Sequence, residues 1–278
     1  MFRVEPIVSL DDPRLQPYKE MRQQYDLYRQ EIFIAEGEKV LRRVLLQREV
    51  QINSVLLLPK WLEEFGALFA DRTEQIEVFT ADRAILEQLI GYKHYQGLLA
   101  VCRVPCPTPL EQILRQSPRP YFFVATDELN NAENLGVLVR NATALGAQAL
   151  INSETSCSPY LRRSVRSSMG NIFRLPFVQS SKFVVTLGDL RSHGIRCVAA
   201  HPHTDQRTIY QADFTGDCCI VFGSEGIGIS KAVLEACDEC VAIPMQNDVD
   251  SLNVGSASAA FLFEVNRQRQ NGNSVHTA

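Results

Sequence analysis

Three absences narrow the possibilities before any motif is read. Nowhere in the 278 residues does an apolar run approach the ~20 residues needed to span a bilayer. The N-terminal stretch MFRVEPIVSLDDPR carries Arg3 and Glu5 and no apolar h-region, so we expect neither a secretory signal nor a membrane anchor, and a cytoplasmic location. Excess positive charge is missing too: the formal net charge is −4, so any nucleic-acid contact must come from a local patch. A second Cys/His pair at ligand spacing is also missing near Cys237 and Cys240, in CDEC, which argues against a zinc or redox centre. The eight cysteines are expected as reduced thiols, with that pair buried incidentally at a helix-to-strand junction and Cys218 and Cys219 in an apolar strand. No metal is expected.

What is present is an ordinary globular composition, 45% hydrophobic, at a length that suggests two domains. Up to about residue 104, strand-like runs (IFIAEG, INSVLLLP, QIEVFT, GLLAVCRV) alternate with helical ones (EKVLRRVLLQ, WLEEFGALFADR, DRAILEQLI), the pattern of a small α/β layer structure. Prolines at 105, 107 and 109 favour an extended linker and place a boundary near residue 107. The expected domains are therefore 1–107 and 108–278, with a polar tail fraying from about 270. The second half offers near-continuous apolar strands at 121–127, 148–153, 174–179, 195–201, 218–224 and 240–245. Such strands form a mostly parallel sheet with helices on both faces, and ligands sit at its carboxyl ends. Chemistry is therefore expected in the loops after Asp127, Ser224 and Met245.

The first of these loops, TDELNNAENLGVLVRNATALGA, enters a helix whose Leu135, Leu138, Val139, Ala142 and Leu145 form a buried stripe. Asn134 reads as its N-cap, and Arg140 borders the packed face. A capped core helix with a salt-bridged arginine would explain this much, but not Gly136 in the first turn, where glycine costs roughly 1 kcal/mol against alanine. The second loop, VFGSEGIGIS, lies between a strand and a helix that Ser230 can cap. It is not a dinucleotide fingerprint, because Glu225 occupies the place of the middle glycine and would repel a pyrophosphate. The third, IPMQNDVDSLNVGSASAAFLFE, leads from Ser251, Leu252 and Asn253 into a helix whose first two turns are almost without side chains, as at tight helix crossings.

Together, in this order and spacing, NAENLGVLVRNATALGA, IVFGSEGIGIS and IPMQNDVDSLNVGSASAAFLFE resemble the three motifs of the SPOUT superfamily of RNA methyltransferases, in its SpoU (TrmH-like) branch. The likeness covers about residues 121 to 264, and SSMGNIFRLPF resembles the family's connecting segment. IAEGEKVL and HYQGLLAV look like its N-terminal substrate domain, which is similar to ribosomal protein L30e. Two departures are visible: Ala132 and Glu133 stand where the family usually has Asp-Pro, and Asn247 where a glycine is common. Asparagine tolerates the left-handed backbone, so the turn is expected to survive.

The resemblance implies an α/β fold with a deep trefoil knot, an S-adenosylmethionine cofactor, a homodimer that completes the active site, and methyl transfer to a ribose 2′-hydroxyl of ribosomal or transfer RNA. By the same resemblance Gly223, Ile243, Met245 and Leu252 hold the cofactor, and Asn134, Arg140, Glu225, Ser251 and Asn253 do the chemistry. The residue types suit it. An in-line displacement gains much of its rate from alignment, and a developing alkoxide needs a fixed cation or donors nearby. Arg140 supplies charge rather than acting as a base, while Glu225 can hold Arg140 or an asparagine amide. For RNA phosphates, Arg162, Arg163 and Arg166 lie in a stretch free of acidic residues, Arg162 and Arg166 on one helical face; a merely solvated helix is the alternative. The rival functions are a catalytically silent RNA-binding or ribosome-assembly protein, which has no need of all five polar residues, and a nucleotide-binding enzyme, which Glu225 and the absence of a P-loop lysine disfavour.

Overall fold

The computed structural model describes residues 2–91 and 96–274, with the side chains of 271–274 excepted. His94 and Tyr95 of HYQGLLAV and the chain end beyond 274 lie outside the described residues. The chain runs β1 (Arg3–Ile7), α1 (Gln16–Lys19), α2 (Gln24–Arg29), β2 (Ile32–Glu36), α3 (Glu38–Leu45), β3 (Ile52–Leu57), α4 (Lys60–Ala70), β4 (Glu77–Ala81), α5 (Arg83–Ile90) and β5 (Leu98–Arg103). It continues through α6 (Leu110–Gln116), β6 (Phe122–Thr126), α7 (Ala132–Ala144), β7 (Ala149–Asn152), α8 (Arg162–Ser167), β8 (Phe177–Gln179), α9 (Phe183–Ser192), β9 (Arg196–Ala200), β10 (Cys218–Phe222), α10 (Lys231–Ala236), β11 (Glu239–Val241) and α11 (Val254–Ser274). The last helix thus runs past residue 270, where the sequence suggests fraying. No helix among the described residues is long and apolar enough to cross a membrane.

Two compact units result: Met1–Cys106 with Tyr160–Phe173, and Pro107–Pro159 with Arg174–Ala278. The basic helix α8 therefore packs with the N-terminal strands, a placement that sequence order does not reveal. In that unit the sheet order is β1-β4-β3-β5-β2, with β1, β4 and β3 parallel and β3-β5 and β5-β2 antiparallel. Arg72 is its buried cation. It donates to the carbonyls of Leu45 (3.1 Å), Gln47 (2.7 Å) and Val50 (2.6 Å) after α3 and pairs with Glu74. Those carbonyls have no partner inside the helix, so the guanidinium satisfies them as a side-chain cap.

In the other unit six strands lie in the order β11-β9-β10-β6-β7-β8, every neighbouring pair parallel. Side chains alternate between its faces. On one face Phe123, Cys197 and Val221 pack with Leu114 of α6, Leu187 of α9 and Val233 of α10. On the other, Phe222 meets Phe261 of α11 edge to face at 5.9 Å. With both faces covered, β6, β7 and β10 are buried throughout, which explains their unbroken apolar runs. Chain order reverses around β6, so β6 and β10 are adjacent while their outgoing loops diverge, the arrangement that opens a crevice at the carboxyl ends.

Candidate active site

The loop after β6 is fixed before α7 begins. Asp127 is buried, and its carboxylate accepts from the Ser230 N–H at 2.8 Å, which ties this loop to the start of α10. The N-cap of α7 is Asn131, whose Oδ1 accepts from the N–H groups of Glu133 (3.0 Å) and Asn134 (3.2 Å). This corrects the expectation that Asn134 caps the helix. Capping by Asn131 leaves the Asn134 side chain in the first turn, free to face outward.

The loop after β10 is a tight hairpin. Ser224 and Gly228 exchange backbone hydrogen bonds at 3.0 Å in both directions, and the Ile227 N–H donates to Ser224 Oγ at 3.2 Å. A Cβ on Gly223 would sit 2.3 Å from the Gly228 carbonyl carbon and oxygen, and Gly228 has φ +78°. These two glycines are required by closure of the hairpin onto itself, and the turn presents Glu225 exposed at its tip. The atoms nearest a Cβ on Gly223 are all backbone atoms of Gly228 and Ile229.

After β11 the chain turns through Asn247 (φ 57°) and Asp248 (φ 56°), so the left-handed turn survives without glycine. Asn253 then caps α11: its Oδ1 accepts from the Gly255 N–H at 2.8 Å. Its Nδ2 donates to Asn134 Oδ1 at 3.2 Å and to Glu225. One amide therefore joins all three loops. Of the two partners the sequence allowed Glu225, the asparagine amide is the one it holds. Beyond Asn253 the small residues let α11 lie against α7: Asn141 Nδ2 donates to the Gly255 carbonyl at 2.8 Å and Ser258 Oγ at 3.0 Å, and a Cβ on Gly255 would meet Val137 Cγ1 at 2.7 Å.

Beside this junction lies an open cavity of about 230 Å³, lined by Gly223, Glu225, Ile243, Met245, Ser251 and Leu252 among others. Its walls combine apolar side chains from β10, β11 and α11 with a few polar groups, which is the make-up of a small-molecule site. Arg140 is not among the lining residues. It is six positions beyond Asn134, about 9 Å along α7 and roughly 120° around it. It is exposed and its guanidinium makes no hydrogen bond or ion pair with a described residue, so the salt-bridged arginine considered from sequence is not formed.

The basic helix also differs from expectation. Arg162 Nη2 lies 2.7 Å from buried Glu36 Oε2, and Arg166 reaches the same carboxylate at 3.9 Å. The shared face of Arg162 and Arg166 thus serves an ion pair within its own unit, leaving Arg163 and the largely exposed Arg166 facing solvent. Sequence reasoning missed one wall of the cavity, formed by His201, Pro202 and His203 after β9. The available signal was that β9 neighbours β10 in a parallel sheet, so its outgoing loop opens on the same side.

Residues 121–263 match the SpoU rRNA Methylase family. The chain belongs to that family. This SpoU methylase is 34% identical over 215 residues to a 23S rRNA (guanosine-2'-O-)-methyltransferase RlmB of Pseudomonas putida, covering 75% of this chain and 84% of that one. It superposes at TM-score 0.78 on AviRb of Streptomyces viridochromogenes, a SpoU methyltransferase solved in complex with AdoMet, at 27% identity over 93% and 98% of the two chains. An RNA 2'-O ribose methyltransferase structure matches equally, with TM-score 0.78 and 28% identity over 96% and 100%. Among the described residues of the SpoU methylase, no group of three or more His, Cys, Asp or Glu could hold a metal ion.

Proposed function

We propose that this SpoU methylase transfers a methyl group to a ribose 2′-hydroxyl of structured RNA, with ribosomal RNA the first substrate to test. It is an RNA methyltransferase that depends on S-adenosylmethionine. The observation that carries the assignment of roles is the single amide of Asn253, bonded to Asn134 and Glu225 at the lip of the cavity. The cavity residues fit the cofactor: Met245, Ile243 and Leu252 offer apolar surface beside Gly223, with Ser251 and Glu225 at the same lining. When bound, the cofactor supplies an electrophilic methyl on a sulfonium. Asn134 and Asn253 orient the ribose, Glu225 holds the Asn253 amide, and Ser251 adds a hydroxyl at the cavity wall. Arg140 stabilises the alkoxide that develops as the hydroxyl loses its proton.

Because Arg140 is exposed and does not line the cavity of its own chain, we infer that it serves the site of a second copy, so that the enzyme acts as a homodimer. Val137 on α7 and Phe263 on α11 are exposed apolar side chains suited to that contact. Threading of the chain between β11 and α11 as a trefoil knot, an L30e-like substrate role for the N-terminal unit, and phosphate contact by Arg163 and Arg166 belong to the same proposal; Arg162, paired with Glu36, is assigned no more than a share in it. The test of shared sites is complementation. Arg140→Ala and Asn253→Ala are each expected to be inactive, and mixing them to restore about a quarter of wild-type activity, because a random exchange of copies leaves one intact site in half of the dimers. No recovery in exchanged mixtures contradicts the shared site.

A further inference from the structure

The wall formed after β9 carries chemistry that the three motifs do not use. His201 is fixed by its backbone, whose N–H donates to the Val241 carbonyl at 3.0 Å, continuing the parallel β9–β11 ladder. Its ring meets that of His203 edge to face, centroids 6.0 Å apart. Both line the cavity shared with Gly223, Met245 and Leu252. Nδ1 of His201 is shielded from solvent and has no hydrogen-bond partner among the described residues. Shielded polar atoms in native proteins are almost always bonded, so the unbonded Nδ1 lying behind the cavity wall is a group that a turn of the His201 ring would bring to a ligand in the cavity.

The charged and titratable surroundings are sparse. Glu225, at the tip of the hairpin after β10, is the other titratable residue of the lining; the stretch from Val241 to Leu252 contributes Val241, Ile243, Met245, Ser251 and Leu252 and no charge to it, and α11 contributes no charge either. Arg207, further along the loop that begins at His201, is paired with Glu239.

We propose that His201, braced by His203, is a cofactor-binding residue that bonds S-adenosylmethionine as a neutral imidazole and, once protonated, selects against this cationic donor relative to its demethylated product. The inference rests on the methyltransferase reading of the cavity. Donor and product share their adenosine and amino-acid parts and differ by the methyl group and the positive charge of the sulfonium. An imidazolium in the same partly desolvated pocket repels that charge and leaves the neutral thioether of S-adenosylhomocysteine nearly unaffected. Burial and the neighbouring His203 ring both hold His201 below the usual histidine range, so its imidazole is neutral at pH 8 and its repulsion sets in only on acidification.

The experiment is calorimetric titration of the full chain with S-adenosylmethionine and with S-adenosylhomocysteine at pH 8 and pH 5.5. In the wild type, the affinity for the donor falls severalfold at the lower pH, less than the roughly elevenfold that an unshifted histidine would give, while that for the product stays nearly constant. His201→Asn, which keeps a polar atom near Nδ1 but does not titrate, removes the difference. His203→Gln leaves His201 in place, relieves its like-charge neighbour and moves the transition to higher pH. A donor-to-product ratio that is independent of pH in the wild type, or that shifts equally in His201→Asn, overturns the proposal while leaving the methyltransferase reading intact. Failure of the wild type to bind either compound at pH 8 overturns that reading, and the inference with it.

Discussion

Asn253 does two jobs with one side chain: its oxygen caps α11 and its nitrogen binds Asn134 and Glu225. Asn253→Asp keeps the cap and replaces the donor by a carboxylate facing Glu225, so turnover should fall roughly 10²- to 10³-fold while S-adenosylmethionine affinity, measured by calorimetry, changes little. Arg140→Ala should give the same separation of turnover from binding. The thiols allow a simpler check. Burial pushes Cys197 up to about 12 and Cys218 up to about 11, so both stay protonated and unreactive at neutral pH. Native-state alkylation read by mass spectrometry should modify exposed Cys106 well before them; early labelling of Cys197 or Cys218 contradicts that burial. At this scale the sequence left two partners open for Glu225, Arg140 or an asparagine amide, and the structure joins it to the Asn253 amide. The sequence was silent about which asparagine caps α7, since Asn131 and Asn134 are both good caps and only the backbone path decides. Nor could composition show that Arg162 is held by Glu36, a partner far away in the chain.

The element that organises the site is α11, whose first turns are small so that it can lie against α7. Gly255→Ala places a methyl 2.7 Å from Val137 Cγ1 and should destabilise the protein by about 1–3 kcal/mol. Val137→Ala opens the same space, so the double variant should recover most of the loss in thermal unfolding. Additive losses would mean that the two helices do not meet as described. The helix and strand order of this region was legible because buried parallel strands read as apolar runs and turn residues separate them. The loop after β9 was overlooked for a physical reason: its histidines matter only through the sheet order, which sets β9 beside β10, and strand neighbours are not written in local periodicity.

For the whole molecule, the two compact units carry separate cores and separate buried polar anchors. Arg72→Met removes the guanidinium that satisfies the carbonyls after α3 and leaves Glu74 unpaired, and should cost about 3–5 kcal/mol in the N-terminal unit. S-adenosylmethionine at a hundred times its Kd should add about 2.7 kcal/mol to the unit that holds the cavity. Calorimetric unfolding is expected to show two transitions, the first lowered by Arg72→Met and the second raised by the cofactor; one transition moved equally by both would contradict that independence. The return of Tyr160–Phe173 to the first unit was not legible in the alternating pattern or the proline-rich linker, because it depends on contacts distant in sequence.

The central claim is methyl transfer to ribose, and it is tested most directly by incubating the purified protein with S-adenosylmethionine and total RNA from cells lacking its gene, then mapping 2′-O-methylation at nucleotide resolution. The account predicts new 2′-O-methylation at a discrete site with the wild type and none with Arg140→Ala. Wild-type protein that binds the cofactor yet methylates no ribose would contradict it.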